Sequence, residues 1–222
     1  MMFQRHWLVL LFMISSFGGY TELLSSEDRA LVERARTKAG ATEHEICAYT
    51  FNSDDGQTKT RVRFDPSAGG NPWRLLERNG ELANGAEAED YEAPSQASHP
   101  ANVDVSSLDS EDLHVLRREP EVVVFGFSPR DEKGNLIHKS VTGELTIRRA
   151  DGVLTSTQIS GANFRRAVVM KMSEFRIQTA LEYDPEVGAV VMRAMDMAMQ
   201  GSVALKKIEV ELHLEFGEFD CP

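Results

Sequence analysis

From Leu205 to Phe216 apolar and polar side chains alternate, with Ile208, Val210, Leu212, Leu214 and Phe216 on even positions and Lys207, Glu209, Glu211, His213 and Glu215 on odd ones. A strict period of two over this length predicts a long antiparallel strand with one face buried and one face wet. Upstream segments follow the same rule, so the expected fold is mainly β: a curved antiparallel sheet or half-open barrel with one or more covering helices. A one-sided sheet must cover its apolar face with helices, close on itself, or leave a cavity for something apolar.

Reading from the N-terminal side, Ser25 to Gly40 predicts a helix, capped by Ser25 or Ser26. Glu27 and Asp28 lie at its positive end, Arg34, Arg36 and Lys38 near its last turns, and Gly40 can stop it. Its apolar stripe reads as Ala30, Leu31, Ala35 and Ala39, a modest set that suits an edge or mouth of the sheet. Glu45 to Asn52 and Lys59 to Asp65 form a hairpin around Asp55-Gly56, and Trp73 to Glu77 resumes strand before Asn79-Gly80. Residues 81–112 hold no Lys or Arg and are rich in Ala, Ser, Pro and acids. This acidic insertion, with a short helix near Ala86 to Glu92, reads either as a lid or docking loop or as a solvated connection. Val122 to Phe127 follows as an apolar run. Val141 to Arg148 alternates, Asp151-Gly152 turns into Val153 to Ser160, and Phe175 to Tyr183 fills one face of another strand. After Pro185 to Gly188, Ala189 to Met199 leads through Gln200-Gly201 into the last strand. Long strands joined by short turns make a meander.

The first residues set the compartment. Arg5 precedes an apolar run from Trp7 to Ile14, followed by Ser15, Ser16, Phe17, Gly18 and Gly19, which with small Ser16 and Gly18 at the recognition positions is the pattern of a secretory signal cleaved after Gly18 or nearby. The run is too short to span about 30 Å of hydrocarbon. The expected organisation is a signal peptide over 1–18 and a single β-rich domain over 19–222, periplasmic or secreted, with no stable membrane span in the mature chain. An even pair of cysteines in an exported chain points to a Cys47–Cys221 disulfide; free thiols and an H-x-x-C metal pair at His44 and Cys47 are the alternatives. The formal charge of −11 disfavours binding to nucleic acid and to anionic membranes.

The order of elements, with the phrase Asp65-Pro66 through Trp73-Arg74-Leu75-Leu76 to Asn79-Gly80, resembles the periplasmic half-barrel proteins related to the lipoprotein carrier of Gram-negative bacteria. The resemblance spans most of the mature chain and is one of layout. It implies a curved antiparallel sheet capped by helices around an apolar cavity that takes up acyl chains of lipoproteins or other lipids. The chain departs from a carrier in its acidic insertion and its terminal cysteine pair.

Six of the nine methionines lie between Met170 and Met199, and Met195, Met197 and Met199 project from one face of one strand. They read as core filling, as the lining of an adaptable cavity, or as a soft-metal site for Cu(I). No G-x-S-x-G, H-E-x-x-H or phosphate loop occurs, and no cofactor is implied. His138 and His213 read as strand residues, and His213, in a row with Glu209, Glu211 and Glu215, as a solvated surface side chain. The expected function is that of a non-enzymatic binding protein. Its concave face comprises Phe175, Ile177, Leu181, Met195, Met197, Met199, Ile208, Val210, Leu212 and Leu214, and shelters an acyl chain or a lipidated partner. The alternative is an envelope module with a self-filled core that meets a protein partner.

Overall fold

The structure is a computed structural model that describes residues 24–39, 47–91, 99–101, 103, 105–109, 111–130, 134–167, 170–204 and 206–221. The signal-like segment and His44 lie outside the described residues. Among the described residues eleven strands form a single antiparallel sheet that does not close into a barrel. In chain order they are β1 (Ala48–Asp54), β2 (Lys59–Phe64), β3 (Trp73–Arg78), β4 (Glu81–Leu82), β5 (His114–Arg118) and β6 (Val122–Phe127). Then come β7 (Val141–Arg148), β8 (Leu154–Ala167), β9 (Met170–Asp184), β10 (Ala189–Val203) and β11 (Lys206–Asp220). Their spatial order is β4-β3-β2-β1-β11-β10-β9-β8-β7-β6-β5. Every pairing joins strands consecutive in sequence except β1 with β11, which seams an N-terminal half onto a C-terminal half. Both edges are short strands, which limits edge-to-edge association.

Helix α1 (Ser26–Ala39) has a reciprocal cap. The Asp28 N–H donates to Ser25 Oγ at 3.1 Å, and the Ser25 hydroxyl donates to the Asp28 carboxylate at 2.6 Å. Its buried face is Asp28, Leu31, Val32, Ala35 and Ala39, so Val32 replaces the exposed Ala30 of the expected stripe. The helix packs across the apolar face rather than at an edge. It lies against β7 and β10, and its residues share one core with Val123 and Phe125 of β6, Leu145 and Ile147 of β7, Leu154, Leu181 and Val190. Strands three apart in a flat sheet lie about 14 Å from one another, so one helix touches both only if the sheet curls around it.

The insertion contributes β4, a helix α2 (Gly85–Glu89) and a 3-10 turn at Ser106–Asp109. Leu108 is buried beneath α1, and Arg36 pairs with Asp109, fixing the turn to the helix. Pro100 and Ala101 are also buried. They occupy a split in the sheet: β10 and β11 pair only from Ala194 opposite Glu215 onward, and below that the Met192 N–H donates to the Pro100 carbonyl at 2.8 Å. Cys47 and Cys221 form a disulfide beside this split, packed with Ala101, Val187, Ala189 and Val191.

Two local readings are corrected, and one strand is not read from the sequence. Gln200-Gly201 is not a turn: β10 runs on to Val203, and the chain turns at Ala204, whose φ is +47°. Gly201 is required because a Cβ there would stand 2.2 Å from the Lys171 carbonyl oxygen. His138 lies in the loop before β7, its ring stacked on Phe164 with centroids 5.3 Å apart. Strand β5 has no clear alternation in its sequence and is held by β6.

Candidate functional site

Register places one continuous apolar face across the sheet. Met195 lies opposite Leu214, Met197 opposite Leu212 and Met199 opposite Val210 on the β11 side. On the β9 side the same three face Thr179, Ile177 and Phe175. The ten residues expected to line a concavity therefore lie on one face of three adjacent strands, but they do not share one environment. Leu181 is buried in the core beneath α1. Phe175, Met199 and Ile208 pack around Val141, Phe164 and Met172 at the far end of the sheet. Ile177, Met195, Met197, Val210, Leu212 and Leu214 belong to no buried cluster among the described residues and are half-exposed.

These six form the floor of an open trough. Between Ile208 and Leu214 it runs for about 20 Å, and from β9 to β11 it is about 10 Å across. The α1 core closes one end, and the other runs onto the partly buried Phe175, Met199 and Ile208 beside the Phe164 cluster. Along β1 the wall is aromatic, with Phe51 and Phe216 6.1 Å apart between ring centroids and Tyr49 and Trp73 behind them. Burial pushes the Tyr49 phenol up to about 12, so it is neutral at any physiological pH.

Two hydroxyl pairs flank the floor and satisfy themselves: Thr157 with Thr179 at 2.6 Å and Ser53 with Thr60 at 2.7 Å. The floor thus offers no charge and no unspent polar group, which suits an apolar chain and not a polar substrate. These hydroxyl pairs and the half-buried Ile159 were not legible from sequence. Each belongs to the face only through the register of β8 with β9 and of β1 with β2.

The methionines are part lining and part packing. Side chains on one face of a strand are spaced about 7 Å apart, so Met195, Met197 and Met199 form a row rather than converging on one point. A row suits an adaptable surface better than a Cu(I) site. Among the described residues no group of three or more His, Cys, Asp or Glu is placed to hold a metal, and Cys47 is spent in the disulfide.

The opposite face is polar. His213 Nδ1 lies 2.7 Å from Asp196 and Nε2 3.3 Å from Glu215, so the solvent-facing imidazole also bridges two carboxylates. Its hydrogen bonds to Asp196 and then to Glu215 raise its pKa above the ordinary histidine value. Among the described residues no helix is long and apolar enough to cross a membrane. Neither a protein-family model nor a curated protein matches the chain. The class is therefore defined by the fold and face alone: an open antiparallel half-barrel with one helix over part of its apolar side.

Proposed function

We propose that the chain is an exported, non-enzymatic binding protein that shelters an acyl chain, free or attached to a lipidated partner, in the open trough. The observation that carries this reading is the half-exposed floor of Ile177, Met195, Met197, Val210, Leu212 and Leu214 inside an otherwise packed sheet. An uncovered apolar area of this kind marks a binding surface, and each methylene removed from water onto it contributes about 0.8 kcal/mol. The disulfide supports export, since such bonds persist in oxidising compartments. The resemblance of its order of elements to the periplasmic half-barrel carriers, read from the sequence, points to the same cargo class.

The test is uptake of a fluorescent fatty acid by the purified protein, compared with Met197→Glu and Leu212→Glu. Both positions are half-exposed, so the variants keep the melting behaviour of the parent while a charge on the floor abolishes uptake. A parent that takes up no probe, or variants that take it up equally, overturns the proposal.

A second reading draws on the openness of the trough: the same face would receive an apolar segment of a protein partner in the envelope. Partner binding with no fatty-acid uptake selects it.

A further inference from the structure

The end of the sheet where β8 turns into β9 and β10 into β11 departs from the acidic character of the chain. Register sets two rows there, one behind the other. On the polar face Arg165 lies opposite Lys171, Lys171 opposite Ser202, and Ser202 opposite Lys207. On the trough face Met170 lies opposite Val203, and Val203 opposite Lys206. Arg165, Lys171, Lys206 and Lys207 are exposed, while Met170 and Val203 are half-exposed. Among the described residues Arg165, Lys171 and Lys206 enter no ion pair, and Lys207 reaches only Glu209, at 3.0 Å. A groove of about 450 Å³ opens at the same place, lined by Asn163, Arg165, Lys171, Ser173 and Ser202 among others.

We infer that this end docks on an anionic lipid surface, an inference that rests on the acyl-chain reading of the trough and places its mouth at the membrane. Cations backed by apolar side chains have the composition of a membrane interface, with ammonium and guanidinium groups reaching headgroup phosphates while Met170 and Val203 meet the acyl boundary. Lys206 stands two residues beyond Ile208 on the trough face, so a lipid whose phosphate it holds has its chain directed at the Phe175, Met199 and Ile208 end of the trough. The net negative charge of the chain does not oppose this. Among the described residues the acids near the rows are Glu174 and Glu209, fewer than the four cations. Acids at the other end of β9 lie about 40 Å away along the strand, several times the screening length of about 10 Å at 0.1 M salt.

The test is flotation of the full chain with vesicles of phosphatidylcholine alone and of phosphatidylcholine with phosphatidylglycerol. The protein is expected to float only with the anionic vesicles, and to be released by salt. The double variant Lys171→Gln and Lys206→Gln, exposed positions that leave melting unchanged, is expected to partition roughly 30-fold more weakly. Equal flotation with both vesicles, none with either, an unaffected double variant, or capture of inorganic phosphate without flotation overturns the inference. Fatty-acid uptake measured on the same samples separates the two proposals. Lost flotation with retained uptake removes the docking surface alone, and flotation without uptake supports docking while removing the acyl-chain reading.

Discussion

Gly201 and His213 show how much single residues owe to partners distant in sequence. A methyl at residue 201 would meet backbone rather than a yielding side chain, because the Lys171 carbonyl oxygen lies 2.2 Å from the Cβ position. Gly201→Ala is expected to lose about 1–3 kcal/mol of stability, read from urea denaturation, with the strand pairing of β9 and β10 the part displaced. An unchanged midpoint would show that the two strands separate freely. The Gln-Gly pair resembles a turn in sequence because the crowding that demands glycine comes from a strand some thirty residues earlier. For His213 the acids at Asp196 and Glu215 raise the pKa. A raised value means that the pair stabilises the fold fully below the unfolded histidine value of 6.5, and that this contribution is lost as pH rises through the folded value. The imidazole is largely exposed, so the effect on stability is small and the titration itself is the better readout. NMR of the ring is expected to give a midpoint above 6.5 that falls in Asp196→Asn. A midpoint unmoved by that substitution would show that the ion pair does not form in solution.

At the scale of elements, α1 carries its own start signal. Asp28 is buried, and burial raises its pKa. The Ser25 hydroxyl, Arg118 at 2.8 Å and the Ser25 N–H outweigh that and hold the carboxyl below its ordinary value. A lowered pKa gives stability that is present above about 3.8 and is lost as pH falls through the folded value. Asp28→Asn is expected to cost about 1–2 kcal/mol at neutral pH, shrinking as the solution is acidified, by thermal or urea unfolding. Equal stability of the two proteins at pH 7 would show that the cap contributes nothing. The Ser25 and Asp28 signals and the period of two in β7 and β11 were legible because each depends on neighbours in the chain. Where α1 sits was not. Its stripe is short, and only the curl of the sheet brings β7 and β10 together beneath Leu31, Val32 and Ala35. The candidate site divides in the same way. Alternation places all ten residues on one face, yet the split into Leu181 under the helix, Phe175, Met199 and Ile208 in the end cluster, and six on the open floor depends on what packs above each. In the insertion, composition suggested a solvated chain, while Pro100, Ala101 and Leu108 are anchors whose contacts lie on β10 and α1.

For the whole molecule the decisive seam is β1 with β11. Ten strand pairings hold the sheet, and this one alone joins strands from opposite ends of the chain. It also joins the aromatic wall at Phe51 to the trough floor at Leu214, since Phe51 lies opposite Phe216 and Ser53 opposite Leu214. The Cys47–Cys221 bond fastens the seam across a separation of 174 residues. A loop of that size corresponds to an upper bound of about 5 kcal/mol of unfolded-chain entropy. Replacing both cysteines with serine is expected to lower stability by several kcal/mol within that bound, and to do so unevenly. The other pairings are local in sequence, and the α1 core draws on the helix, Leu108 of the insertion and the C-terminal strands, with nothing from β1. In native-state hydrogen exchange the amides of β1 and of residues 216–220 are therefore expected to lose protection first, while those of β6 and β7 keep theirs. Fatty-acid uptake should fall together with β1 protection, because the floor loses its aromatic wall before the sheet as a whole unfolds. Uniform loss of protection across β1 and β7 would mean that the sheet opens as one cooperative unit, and that the disulfide raises global stability without guarding the trough.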